Sequence, residues 1–188
     1  MTIKHLTMEE LEAGLDHIRQ SPQDGGVLEM IVRRPSIDER ELLHEGELDT
    51  AVGLVGDNWQ TRGSRHSPDG SALPDAQLTL MNSRTANLVA QSRDRWPLAG
   101  DQLYVDFDLS EDNLPPGTRL EIGEAVLEVT PLPHTGCKKF VSRFGMDAVK
   151  FVNTPQGKQL HLRGIYTKVI QPGTIRIGDP IIKYPAED

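Results

Sequence analysis

A single cysteine, Cys137, serves all 188 residues of the chain. One thiol excludes an internal disulfide framework and any CxxC-type zinc site. Cysteine use this sparse fits a reducing, bacterial-type cytoplasm. Long apolar runs are missing too, so no segment reads as a membrane span. The opening "MTIKHLTMEELEAG" is acidic and helix-patterned and lacks the apolar stretch of a signal peptide. No G-x-S-x-G elbow, G-x-x-x-x-G-K-[ST] phosphate loop or G-x-G-x-x-G fingerprint occurs, which removes the common hydrolase and nucleotide-binding templates. Internal repeats, heptad arrays and low-complexity tracts are absent as well.

The length suits one sizeable core and is short for two independent domains. We expect a single unit over 1–188, with an N-terminal helix and lead-in over 1–25 and the main body over 26–184. The net charge of −8 argues against general affinity for nucleic acid. Its distribution is uneven. Residues 131–170 carry seven Lys or Arg against one acid, Asp147, a local balance of +6 that leaves −14 elsewhere.

Thr7 and Glu10 form a T-x-x-E capping box, with Leu6 and Leu11 as the matching hydrophobic staple. Leu11, Leu15 and Ile18 then continue one apolar face until "SPQDGG". "GVLEMIVRR" (26–34) reads as a strand buried on both faces in its middle. Residues 46–76 read mostly as loop, a length usually tied to function or disorder. "LTLMNS" (78–83) leads into a helix with Ser83 as N-cap, ending at Pro97. Strands follow: "QLYVDFDL", then a hairpin over 118–129 turning at Gly123-Glu124. "GMDAVKFVN" suits a short helix, and "QLHLRGIYTKVI", "GTIRIG" and "PIIKY" suit strands split by Pro-Gly and Gly-Asp turns. Many short strands with few helices predict a β-rich, α+β fold: a twisted barrel or strongly bent sheet with peripheral helices.

Cys137 sits in "PHTGCKKFVSRFG" (133–145). Gly136 is expected to relieve bulk beside the thiol, and a proline-bearing loop favours exposure. Lys138 and Lys139, with Arg143 or His134, would stabilise the thiolate, the nucleophilic and metal-binding form. His134 and Cys137 have H-x-x-C spacing, half of a metal site. His66 and His161 are the candidates for further ligands, and both are distant in sequence. Arg143 and Arg163 stand beside small residues and suit fixed recognition of phosphate or carboxylate. "TRGSRH" (61–66) adds a polar, basic loop that could reach the same pocket. A Cys-His nucleophile pair is conceivable, but nothing in the sequence orders the base.

"NLPPGTRLEIGEAVLEVTPLPHTGCKKF", then "RFG" and "LRGIYTKVIQPGTIRIGDPI", with "GLVGDNW" upstream, resemble the MOSC family, named for the C-terminal part of molybdenum-cofactor sulfurases. The resemblance covers roughly residues 26–184. It implies a β-rich barrel like the barrel domain of pyruvate kinase. It also implies a cysteine that carries sulfur as a persulfide or ligates molybdenum. Here that residue is Cys137. By the same resemblance His134, Thr135, Lys138, Arg143 and Arg163 become candidate contacts to the anionic molybdenum cofactor. A thiolate is a soft ligand suited to such a centre. The sequence lacks the pyridoxal-phosphate cysteine desulfurase and ferredoxin-like domains of fuller members. The resemblance therefore implies a partner, a desulfurase or an electron-transfer protein, and no nucleic-acid or membrane partner. Two other readings stay open: a small-molecule or thiol-sensor module without molybdenum, and an enzyme with Cys137 as nucleophile.

Overall fold

A computed structural model describes residues 2–187. Met1 and Asp188, the outer bounds of the expected unit, lie outside the described residues. Seven strands close into a mixed barrel: β11 (Pro180–Tyr184), β7 (Arg119–Ile122), β8 (Ala125–Val129), β9 (Ile165–Gln171), β5 (Leu78–Asn82), β6 (Leu103–Asp106) and β1 (Gly26–Arg33). β5 and β6 run parallel and the other neighbours antiparallel. β1 pairs with β11 to complete the ring, and β2 (Glu41–Leu43) hangs from the outer edge of β1. The expected β-rich barrel with peripheral helices is therefore the observed architecture.

Strand periodicity explains why two cores form. Along β5 and β6, Leu78, Leu80, Leu103 and Val105 point into the barrel, while Met81 and Tyr104 point outward into a second apolar layer. β1 behaves alike, with Leu28 and Ile31 inside and Met30 and Val32 outside. A strand covered on both faces reads as a continuous apolar run. The outer layer is helical. It includes α1 (Met8–Glu12), α2 (Leu15–Arg19), α4 (Ser83–Ala90), α5 (Lys138–Phe144) and α6 (Met146–Asn153).

The N-terminal capping box is present, with the Thr7 side chain on the Glu10 amide and the Glu10 side chain on the Thr7 amide. The expected continuous helix is split between Glu12 and Leu15, and at Gly14, in the break, a Cβ would come within 2.6 Å of Leu88 on α4. α4 is capped one residue earlier than predicted. Asn82 takes the amides of Arg84 and Thr85, and its own amide group is held by Ser21 and Phe107. This helix stops at Gln91 in a left-handed conformation, and Pro97 lies inside a following 3-10 helix, Arg93–Ala99.

Residues 46–76 are more ordered than predicted. β3 (Glu45–Asp49) joins β10 (Gly173–Arg176) and β4 (Gly53–Leu54) in a small sheet, followed by α3 (Trp59–Arg62) and a 3-10 turn at Pro74–Ala76. The predicted strand over "QLHLRGIYTKVI" begins only at Ile165. Thr154 and Pro155 start a further helix, α7 (Pro155–Gln159), and His161 then turns the chain at φ 49°. The hairpin of β7 and β8 turns at Gly123, which has φ 56°.

Candidate functional site

The 3-10 helix ends at Gly100, φ 93°, where four consecutive carbonyls lie at the terminus. Carbonyls at a helix end are under-satisfied within the helix and attract cationic donors; of these four, Pro97 O also takes the Gly100 amide. Four arginines from separate parts of the chain fill that role. Arg40 Nε donates to Pro97 O (3.0 Å), Arg143 Nη1 to Leu98 O (2.7 Å), Arg163 Nη2 to Ala99 O (2.8 Å) and Arg34 Nη1 to Gly100 O (3.0 Å). One short segment thus fixes a fan of four guanidinium groups.

Three carboxylates complete it. Asp57, whose side chain is fully buried, takes Arg34 in a bidentate pair at 2.9 and 2.7 Å. Asp101, equally buried, accepts from Arg163 Nη1 at 2.7 Å and lies 3.2 Å from His134 Nε2. Asp38 is exposed and meets both Lys139 and Arg143. Arg40 has no carboxylate within ion-pair distance among the described residues. Burial, then the charges of Arg143 and Arg34, lower its pKa. Arg62, on α3, is in the same position, with its pKa lowered by burial and then Arg34.

Burial alone would raise the pKa of Asp101. The charge of Arg163 and the hydrogen bond from His134 outweigh it and hold the carboxyl at about 2. His134 is pushed down by burial and by Arg163, against the pull of Asp101, and is therefore a neutral imidazole near pH 7. The Asp101 contact assigns the proton to Nε2 and leaves Nδ1 as an acceptor. The ring also packs on Tyr166 at 4.5 Å between centroids.

The four arginines of the fan, with Arg62, Asp38, His134 and Tyr166, line one cleft of about 810 Å³, within the usual range for small-molecule sites; Asp57 and Asp101 are not among its lining residues. Of the residues singled out from the sequence, His134, Thr135, Cys137, Arg143 and Arg163 all line it, as does His66 with its loop. Cys137 is exposed and immediately precedes α5. Lys138 is not among the lining residues; its neighbour Lys139 is. Gly136 has a different reason from the one expected. An added Cβ would come within 2.6 Å of Val149 and 3.2 Å of Val152, so this glycine lets the cysteine loop lie against α6. The Gly136 amide donates to the Asn153 side chain there.

His161 lies elsewhere, with Nδ1 2.6 Å from Leu109 O, beside a second cavity of about 380 Å³. Among the described residues no three His, Cys, Asp or Glu side chains are grouped to hold a metal by themselves. Arg34, Arg40, Asp38, Asp57 and Asp101 were not picked out from the sequence. The Gly-Asp pairs at 56–57 and 100–101 were the available signal. Two buried polar atoms on lining residues, Arg163 Nε and Asn58 Oδ1, have no protein partner.

Residues 71–182 match the sequence profile of the MOSC domain. The chain belongs to the MOSC family. Its general association is with the molybdenum cofactor and sulfur chemistry. The fold is also that of YuaD from Bacillus subtilis, at TM-score 0.60 and 16% identity over 86% of this chain and 97% of that one. YiiM from Escherichia coli aligns at TM-score 0.56 and 19% identity, covering 86% and 71% of the two chains. YiiM from Geobacillus stearothermophilus gives 0.54 and 16%, covering 87% and 75%. No curated protein sequence matches the chain. The matched segment contains Cys137, Arg143 and Arg163, but Arg34, Arg40 and Arg62 come from outside it. No helix among the described residues is long and apolar enough to cross a membrane.

Proposed function

We propose that the cleft binds the molybdenum cofactor, with the Cys137 thiolate as the protein's ligand to molybdenum. The observation that carries this reading is the convergence of an exposed single thiol with the arginine fan in one cleft. The residues present fit such a group. Arg143, as singled out from the sequence, together with Arg40, suits its phosphate, while the terminal nitrogens of Arg163 stay on Asp101 and Ala99. The orphaned Arg163 Nε calls for an acceptor and Asn58 Oδ1 for a donor, and a pterin edge carries both. Bound there, the group would supply a metal centre able to exchange electrons or sulfur. His134 would hold a proton on Nε2 and offer Nδ1 as an acceptor. Thr135 would contribute hydroxyl hydrogen bonds beside it. Lys138, next to Cys137 in the chain but not among the lining residues, would add positive charge near the thiolate.

A second reading is favoured by the exposure of Cys137: a sulfur carrier. Its thiolate would attack the outer sulfur of a donor persulfide, the donor S–S bond would break, and the donor would leave as a thiolate. Either role needs a partner, a cysteine desulfurase or an electron-transfer protein.

The test is expression in a host that makes the cofactor and in one that does not. The cofactor reading expects molybdenum and pterin only from the first, with loss of most metal in Cys137→Ser while the fold persists. The carrier reading expects little molybdenum and one additional sulfur on Cys137, removable by reductant. Finding neither metal nor persulfide overturns both readings and leaves a thiol-sensor module or a cysteine-nucleophile enzyme.

A further inference from the structure

Asp38 occupies two of the cations that an anionic ligand would need. The turn between β1 and β2 brings Ser36, Ile37 and Asp38 to the cleft wall, with Asp38 at φ 63°. Asp38 Oδ1 lies 3.0 Å from Lys139 Nζ and 3.2 Å from Arg143 Nη2. The other terminal nitrogen of Arg143 is committed to Leu98 O. The side chains of Asp38 and Lys139 are 61% and 59% exposed, so this is a solvent-screened contact that a ligand can break. The buried pairs Arg34–Asp57 and Arg163–Asp101 are not open to competition in this way.

We propose that Asp38 is a built-in competitor of the anion site: by holding Lys139 and Arg143, it lowers the affinity of every anion, so that at a given concentration groups carrying two or more negative charges, such as a phosphate monoester, still bind where monoanions do not. The inference rests on the reading of the cleft as an anion site. A monoanion that displaces Asp38 exchanges one negative charge for another and gains little Coulomb energy. It also competes with a carboxylate tethered to the same chain, which has the advantage of high effective concentration. A dianion doubles the attraction to the same two cations, and Arg40, whose charge also acts on Asp38, adds a third. The turn would then move off the cations as the ligand enters.

The experiment uses the full chain free of cofactor, titrated at constant ionic strength near pH 8 with inorganic phosphate, then with acetate. Wild-type protein should prefer phosphate by about tenfold or more, and Asp38→Asn should tighten both ligands by the same factor, about fivefold, because the cost of displacing Asp38 is common to both. Arg143→Gln should weaken phosphate about tenfold. Phosphate should speed hydrogen exchange at residues 36–40 in wild type, and leave it unchanged in Asp38→Asn. If wild type binds no phosphate, or Arg143→Gln binds it as well as wild type, the anion-site reading fails and this inference falls with it. If Arg143→Gln weakens binding but Asp38→Asn leaves both affinities unchanged, Asp38 does not compete for the site. Slowed exchange at 36–40 on adding phosphate would overturn the displacement.

Discussion

Arg40 and Arg143 both border the space over Gly100, where an added Cβ would lie 3.7 Å from Nη2 of the first and 3.9 Å from Nη1 of the second. The missing side chain keeps that space open, and the carbonyls of Pro97 and Leu98 hold the two guanidinium groups beside it. Gly100→Ala should therefore act twice. At φ 93° an alanine costs about 1–2 kcal/mol of stability, and the methyl group takes room from any anion between the arginines. Chemical denaturation and phosphate titration should both register the change. Unaltered phosphate affinity would show that the space is not part of the seat.

Asp101→Asn is expected to be far more damaging than Asp38→Asn. It leaves the Arg163 guanidinium buried without its counter-charge, a loss on the order of 3–5 kcal/mol. The exposed Asp38 pair should change stability by no more than about 0.5 kcal/mol. Urea unfolding of both variants side by side checks the contrast.

Stability should fall as the solution is acidified, in two stages. His134 has a lowered pKa in the folded protein, so below about 6.5 the unfolded chain takes up a proton that the folded one refuses. Stability declines from there as pH drops. His134→Gln, which keeps a donor for Asp101, should flatten the decline between pH 7 and 5. Asp101, held at about 2, contributes stability above about 4 that is lost as pH falls toward 2. A denaturation midpoint that stays constant from pH 7 to 5 in wild type would contradict the His134 assignment.

Gly136→Ala should lower stability by about 1–3 kcal/mol, because the new methyl group presses on Val149 and Val152. The thiol of Cys137 should remain open to alkylation in the folded variant, since this residue is exposed. A destabilised protein with an intact, accessible thiol is the expected pair of results. A variant of wild-type stability would mean that the loop can lift off α6 without cost.

Much of the barrel could be read from the chain because its elements carry local signals. Met30 and Val32 alternate with Leu28 and Ile31 strongly enough to mark a strand covered twice, and Gly123 marks its hairpin. The small sheet of β3, β4 and β10 escaped notice because β3 finds its partner more than a hundred residues later, at Gly173–Arg176. At the site, Cys137, Arg143 and Arg163 stand out by residue type. Arg40 does not, because its acceptors are backbone carbonyls, which have no letter in a sequence, and Arg34 does not, because its partners Asp57 and Gly100 lie 23 and 66 residues away. Gly136 was noticed, but its neighbour in space, Val149, is what explains it.

The pairing of Gly26 with Ile181 and of Val27 with Pro180 has a consequence for the order of events during synthesis. The ring cannot close until β11 has been made, so the strand that bears the approach to Arg34 waits for almost the whole chain. Such long-range closure is slow relative to local helix formation. Until it happens, β1 presents an unpaired edge able to join a neighbouring chain. Any ligand whose seat needs the closed ring must therefore arrive after β11 has been made, and nascent chains that stall before β11 are the species most at risk of aggregation.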